Sequence, residues 1–386
     1  MPRSRSPYFN QFRRSGPTRR RFLQGSAAAI AGVTLANCRG NIANVQSGDG
    51  EGDPDAAAGT TSGSGILHIY TWADYTNDEL IQAFTEKTGV EVVVDIYDSN
   101  ETMLAKMQAG GGDAYSIIYP SDYMVQQMIE LGMLTQLDQD RLQGLENLLD
   151  KWQNPVYDNG NTFSVPYAWG TTGLLYNKEL VSGTPTDWEY LWENQGELAR
   201  RITLLDDVRE TMGATLRSLG YSYNSTDPAE IEEAYNRLIE LKPAIASFMS
   251  FGYEDALFGG DLTMVMAYSV DAIAATLEDE RMDYIVPDSG SSVWTDTMII
   301  PVNAPNVDAA YEWLNFNLDP AISQLSTEML FNATPNRVAF DNLSDELKAN
   351  TDLFPPAEVL ERCEGIAPVG DATSLYDEFW TRVTSA

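Results

Sequence analysis

Residues 66–137 read as three strand–helix units in a row, and this alternation constrains the fold more than any other feature of the chain. The first unit is the run Ile66-Leu67-His68-Ile69-Tyr70-Thr71, followed by a helix expected over about 78–88. Leu80, Ile81 and Phe84 share one face of that helix, and Gly89 supplies a stop. The second strand is expected over 90–96, with Val90, Val92, Val94 and Ile96 on one side. Asn100 is positioned to cap the next helix, where Met103, Leu104 and Met107 form a stripe that ends at Gly110-Gly111-Gly112. A third strand is expected over 114–119. Pro120 stops it, and Ser121 stands where a cap belongs. Strands alternating with helices predict a parallel sheet covered on both faces, with ligands bound beyond the carboxyl ends of the strands. Those ends carry Trp72, Asp74 and Tyr75, then Ser121 and Tyr123. No Gly-x-Gly-x-x-Gly or phosphate-loop run follows the first strand, so a nucleotide site has no support.

The 386 residues suffice for two domains, and a 43% hydrophobic content can fill real cores. Two cysteines, Cys38 and Cys363, allow no disulfide framework. One histidine, His68, argues against histidine-based catalysis and most zinc sites; inside an apolar strand it reads as packed or at an edge. The formal charge is −33. Seven of the 24 basic residues are arginines within residues 1–37, which leaves 17 against 57 acids and a balance of −40 for the remainder. Such a surface repels nucleic acid and attracts cations, and most of those charges are adequately explained by solubility or adaptation to high salt. Only acids in a pocket would carry function.

Thr18-Arg19-Arg20-Arg21-Phe22-Leu23-Gln24 looks like a twin-arginine export signal. The apolar run after it, residues 27–36, is too short to span a bilayer. It ends in Leu35-Ala36-Asn37-Cys38, which resembles a lipoprotein processing site with lipidation at Cys38, although Asn37 stands where Gly, Ala or Ser is usual; an ordinary cleaved signal is the alternative. Residues 38–65 are rich in Gly, Ser, Ala and Asp and read as a flexible tether. Further on, residues 162–177 read as extended chain broken by Gly and Pro, a candidate crossing between lobes. A second α/β region follows, with a strand near 202–205, a helix opened by Asp206-Asp207-Val208-Arg209-Glu210, and a helix started by Thr226-Asp227-Pro228. A strand over 262–268, a helix over 270–277 and short strands over 282–287 and 297–301 are expected, the last two around a turn containing Trp294 and Asp296. Helices over 307–318 and 321–330 complete the reading.

From Leu67 onward the chain resembles the spermidine/putrescine-binding family, the substrate-binding proteins of bacterial ABC importers. The resemblance rests on Tyr70-Thr71-Trp72-Ala73-Asp74-Tyr75, Ser99-Asn100-Glu101-Thr102-Met103, Pro120-Ser121-Asp122-Tyr123, Val165-Pro166-Tyr167-Ala168-Trp169-Gly170, Leu205-Asp206-Asp207-Val208-Arg209-Glu210, Trp294-Thr295-Asp296-Thr297 and Thr334-Pro335-Asn336. Seven stretches in order are specific where one would be weak. The resemblance implies an α/β, two-lobed periplasmic-binding-protein fold (type II) with a ligand cleft between the lobes. Lobe 1 would hold residues 66–171 and 296–340, and lobe 2 residues 172–295 and 341–386, with residues 1–37 the export signal. It implies a polyamine ligand, ABC importer permease subunits as partners, no cofactor, no metal, no catalysis, a monomer, and a periplasmic or membrane-anchored location. Family positions fall on Trp72, Asp74, Tyr75, Ser121, Tyr123, Asp207, Glu210, Tyr268, Asp271, Trp294 and Asp296. Tyr268 stands where spermidine-type members carry Trp, Asp271 matches putrescine-type members, and Ile366 falls near the place of a spermidine-type glutamine.

The chemistry agrees with that implication. A polyamine is a methylene chain with ammonium groups at fixed separations, so it calls for aromatic faces and carboxylates together. Several residues also have plain structural readings. Asp207 and Glu210 fit a capping box, Ser121 a helix cap, Trp72 and Trp294 core aromatics, and Asp271 a surface acid. A glycoside hydrolase would share the aromatics and paired acids but needs a carboxyl tuned for proton donation. A sugar receptor of the same fold would favour Asn, Gln and Arg; a ferric-iron receptor would need adjacent tyrosines; a scaffold protein would bind no small molecule.

Overall fold

The structure is a computed structural model and describes residues 65–73 and 75–385. The sites expected at Asp74 and Cys38, the export signal and nearly all of the tether lie outside the described residues.

Among the described residues nine strands form the sheet framework: β1 (Ile66–Thr71), β2 (Glu91–Ile96), β3 (Ile117–Ile118), β4 (Ser164–Asn177), β5 (Ile202–Leu204), β6 (Ile245–Phe248), β7 (Met264–Tyr268), β8 (Met282–Ile285) and β9 (Val293–Ile299). Their order is β2-β1-β3-β9-β4-β7-β5-β6, with β8 added on β4. The principal helices are α1 (Asp78–Thr88), α2 (Asn100–Gln108), α3 (Asp122–Glu130), α4 (Val208–Ser218), α5 (Pro228–Leu241), α6 (Ser269–Glu278), α7 (Val307–Leu318), α8 (Pro320–Leu330) and α9 (Thr373–Ser385). Among the described residues no helix is long and apolar enough to cross a membrane.

The opening units fold as the periodicity requires. β1 pairs in parallel with β2 and β3. α1 runs over the expected residues, capped by Asn77, whose side chain accepts from the N–H of Leu80, and closed by Gly89 at φ 76. Phe84 is fully buried and meets the rings of Trp313 at 4.8 Å and Phe316 at 5.4 Å, edge pairs worth about 0.5–1.5 kcal/mol each beyond their area. Three expectations need correction. Ser99, not Asn100, caps α2, because its hydroxyl accepts from Thr102 N–H at 3.1 Å while the Asn100 side chain turns inward. The third strand shrinks to Ile117–Ile118, since 3-10 turns take Gly111–Ala114. Ile96 is 58% exposed, because β2 is the sheet's outer strand and has no neighbour to cover it.

β4 joins the two halves. All 14 of its residues are buried. Its first part, Ser164–Thr171, pairs antiparallel with β9 beside β1–β3; its second part, Thr172–Tyr176, pairs with β7. One strand thus belongs to both lobes. Gly173 is required there, since a Cβ would lie 2.1 Å from the carbonyl oxygen of Ile285. β9 begins earlier than expected and includes Trp294 and Asp296, which the sequence assigns to a turn. Pairing with the long β4 continues the strand through polar residues that lack a β pattern of their own. Beyond it, α9 packs on α4 and α5, with Tyr376, Phe379 and Val383 buried among Leu216, Ile231 and Leu238.

Candidate functional site: an acidic, aromatic-lined cleft

Asp296 sits at the centre. It is 5% exposed in β9, two residues from Trp294 and on the same side of the strand. The Ser121 hydroxyl donates to its Oδ1 at 2.6 Å, and the Tyr75 hydroxyl donates to its Oδ2. Ser121 holds the N-cap position of α3 but makes no capping bond; its hydroxyl is committed to Asp296 instead. Asn100 steadies this arrangement. Its Nδ2 donates to Ser121 Oγ and to Tyr123 Oη, both at 3.0 Å, and its Oδ1 accepts from Ser121 N–H at 3.2 Å. Tyr123 Oη in turn donates to Glu101 Oε1 at 3.1 Å. One hydrogen-bonded chain therefore runs from α2 to β9. Trp72 lies partly buried at the end of β1, its ring 4.5 Å from that of Tyr97.

The second lobe supplies the other acids. Asp207 caps α4, accepting from Arg209 N–H at 2.9 Å and Glu210 N–H at 3.0 Å. The reciprocal arm of a capping box is replaced: Glu210 accepts from Thr172 Oγ1 at 3.0 Å, Ser292 Oγ at 2.8 Å and Tyr223 Oη at 2.6 Å. Glu210 is 2% exposed, and through Thr172 and Ser292 it is fixed to β4 and to the approach to β9. Tyr268, at the end of β7, meets Trp294 edge-on at 6.0 Å. Gly170 makes room for this, because a Cβ there would lie 2.3 Å from the Trp294 ring. Asp271 stands partly buried in the first turn of α6.

Burial dominates the electrostatics. It pushes the Asp296 carboxyl up to about 6 against the hydrogen bonds of Ser121 and Tyr75. Burial, then the Asp207 charge, pushes Glu210 up to about 7. Glu101 is also pushed up to about 7, first by burial of its carboxyl and then by Asp207, although the residue keeps part of its surface in solvent. Asp207 is raised by burial against the N–H groups of Glu210 and Arg209. None of the ion pairs among the described residues involves Asp207, Glu210 or Asp296. The indole N–H groups of Trp72 and Trp294 are buried without a hydrogen-bond partner among the described residues. Carboxylates outside any ion pair, beside aromatic faces, suit the chemistry of a cation carried on an apolar chain. Among the described residues no group of three or more His, Cys, Asp or Glu is arranged to hold a metal ion.

The structure thus brings Tyr75, Ser121, Tyr123 and Asp296 into one hydrogen-bonded network, with Trp72 packed on Tyr97. Tyr268 and Trp294 form a second element, and Asp207 with Glu210 a third. Asn100 and Glu101 join the site without having been expected. Both fall inside the stretch Ser99-Asn100-Glu101-Thr102-Met103, and Asn100 in particular looks like a cap until its side chain is seen.

Residues 79–355 match the family described as bacterial extracellular solute-binding protein. The chain is 34% identical over 328 residues to the spermidine/putrescine-binding periplasmic protein of Salmonella typhimurium, covering 85% of this chain and 94% of that one. It is 35% identical over 318 residues to the protein of the same name from Escherichia coli, covering 82% and 91%. Its fold is similar to the spermidine/putrescine ABC transporter substrate-binding protein PotD of Streptococcus pneumoniae, with a TM-score of 0.72, 34% identity, and coverage of 83% and 98%.

Proposed function

The chain belongs to the bacterial extracellular solute-binding proteins, in the spermidine/putrescine-binding family, and from that premise we propose that it is an extracytoplasmic receptor that captures polyamines and delivers them to an ABC importer. The observation that carries the ligand is the pair of buried carboxylates Asp296 and Glu210, with the half-buried Asp207 at the cap of α4, none of which forms an ion pair among the described residues.

The binding scheme follows from the side chains. Asp296 takes an ammonium at the centre of the cleft, already oriented by Ser121 and Tyr75. Trp72, Trp294 and Tyr268 cover the methylene chain and face the cations, each contact worth about 0.5–2 kcal/mol. Asp207, Glu210 and Tyr123 receive the other end, and Asp271 is a further acid; Asp74, outside the described residues, is a candidate from the sequence alone. A charge-assisted hydrogen bond adds about 1.5–3 kcal/mol. A micromolar affinity needs about 8 kcal/mol net, which several contacts of both kinds supply once water is excluded. The lobes close on the amine about β4 and β9, a hinge motion, and the closed form is what the permease subunits accept. The protein acts as a monomer and transforms nothing. The twin-arginine stretch directs its export, lipidation at Cys38 holds it to the outer face of the membrane, and the segment up to residue 65 gives it reach.

Asp296→Ala should weaken polyamine binding by more than about tenfold in a calorimetric titration, since a cleft ammonium loses its charge partner. Unchanged affinity in that variant would remove the site from this cleft.

A further inference from the structure

A second carboxylate lies beside Asp296 that the family resemblance leaves unassigned. The start of α3 is clamped to β9. Pro120 accepts from Thr297 N–H at 2.9 Å, and Ser121 sits opposite Asp296 in antiparallel register. Asp122 is the next residue. It is 6% exposed, and its Oδ1 accepts from the N–H of Tyr123 at 2.8 Å. A first-turn acid gains from the helix N-terminus, but such acids ordinarily keep their carboxylate in water. Here that water is gone. The charges that act most on Asp122 are those of Asp296 on β9, Lys151 on the short turn Asp150–Gln153 and Glu210 on α4. Two of the three are carboxylates. Lys151 makes no ion pair with it among the described residues. Burial first, then Asp296 and Glu210, raise its carboxyl well above the usual range.

Tyr157 gives an independent observation. Its hydroxyl is buried without a hydrogen-bond partner among the described residues, and the charges of Asp122, Asp158 and Asp296 act on it. A buried hydroxyl left unpaired costs about 1–3 kcal/mol. Ligand chemistry explains both features. Each oxygen of Asp296 already accepts one protein hydrogen bond, whereas a primary ammonium presents three N–H groups and a secondary ammonium two. Further acceptors are needed at the same place.

We propose that Asp122 and Tyr157 form a further wall of the amine site, the carboxylate sharing the ammonium held by Asp296 and the phenol oxygen accepting one of its N–H groups. This rests on the polyamine reading above. Asp122 then gives up its proton as the cation arrives, so that binding exchanges a proton for an ammonium.

The test is calorimetric titration of the protein with spermidine at pH 7 in two buffers of different protonation heat. Wild type, Asp122→Asn and Tyr157→Phe are compared. The expected result for Asp122→Asn is binding weakened more than about tenfold, with fewer protons released per ligand than in wild type. Tyr157→Phe should weaken binding about threefold or more while leaving the proton count unchanged. Unchanged affinity in Asp122→Asn overturns the proposal, and so does weaker binding with the same proton release, which marks a packing defect. If Asp122→Asn does not fold, wild-type affinity in Tyr157→Phe overturns it. Wild type that binds no amine removes the polyamine reading itself; wild-type binding with indifferent variants removes only this inference.

Discussion

Ser121 separates capping from ligand chemistry at a single hydroxyl. A residue at the N-cap position normally stabilises its helix by about 0.5–2 kcal/mol, yet here the side chain serves Asp296 and leaves α3 uncapped. Ser121→Ala should therefore affect ligand binding more than helix stability. Its hydrogen bond favours the ionised form of Asp296, so the pH midpoint of amine binding should rise in the variant. An unchanged midpoint with a large fall in melting temperature would mean that the hydroxyl is structural. Asp207 is the opposite case, a true cap that accepts from two N–H groups at the start of α4. From the sequence, Ser121 and Asp207 look alike, because both precede a helix. What distinguishes them is a partner 175 residues away, and no local pattern encodes a contact at that separation. The aromatic and acidic identities were legible from motif resemblance, whereas the hydrogen-bonded chain through Asn100 and Glu101 was not, since it depends on how α2 meets α3.

At the level of elements, β4 and β9 do the organising. Their pairing sets Trp294 against Tyr268 and Asp296 against Ser121, and it does so through a strand with two glycines at close approaches. Gly173→Ala would drive a Cβ into a backbone carbonyl and should destabilise the protein by about 1–3 kcal/mol or more in urea unfolding. Gly170→Ala meets the Trp294 ring and Ser269 Oγ, so it should tilt the aromatic face and cut amine affinity severalfold. A variant with native affinity would show that the ring position is immaterial. The helices α1, α7 and α8 were readable to within a residue, because apolar spacing and capping or proline signals agree there. β6, the short helix Glu254–Gly259 and α9 were not anticipated. β9 was placed late, since Trp294-Thr295-Asp296-Thr297 takes its extended form from pairing with β4 rather than from β propensity.

For the whole molecule, the cleft couples charge to protons. In the ligand-free protein burial holds Asp296 at about 6 and Glu210 at about 7, above the ordinary carboxylate range. A carboxyl whose folded pKa is raised contributes stability at pH below its unfolded value and loses it as pH rises through the folded one. The ligand-free protein should thus lose stability between about pH 4 and 7 on account of these groups. A cation favours the ionised forms, so binding releases protons in that window. Affinity should fall as pH is lowered from 7 to 5, by at most about tenfold per pH unit for each carboxyl that must ionise. A pH-independent affinity would exclude these acids as ligand groups. The net charge of −40 beyond residue 37 acts differently, by drawing cations toward the protein, and that contribution should weaken with added salt while the buried contacts persist. The most direct measurement is calorimetric titration of the wild-type protein with putrescine, spermidine and a neutral sugar at physiological salt. The account predicts saturable one-to-one binding of an amine and no heat from the sugar. Sugar binding, or the absence of any amine binding, would contradict it.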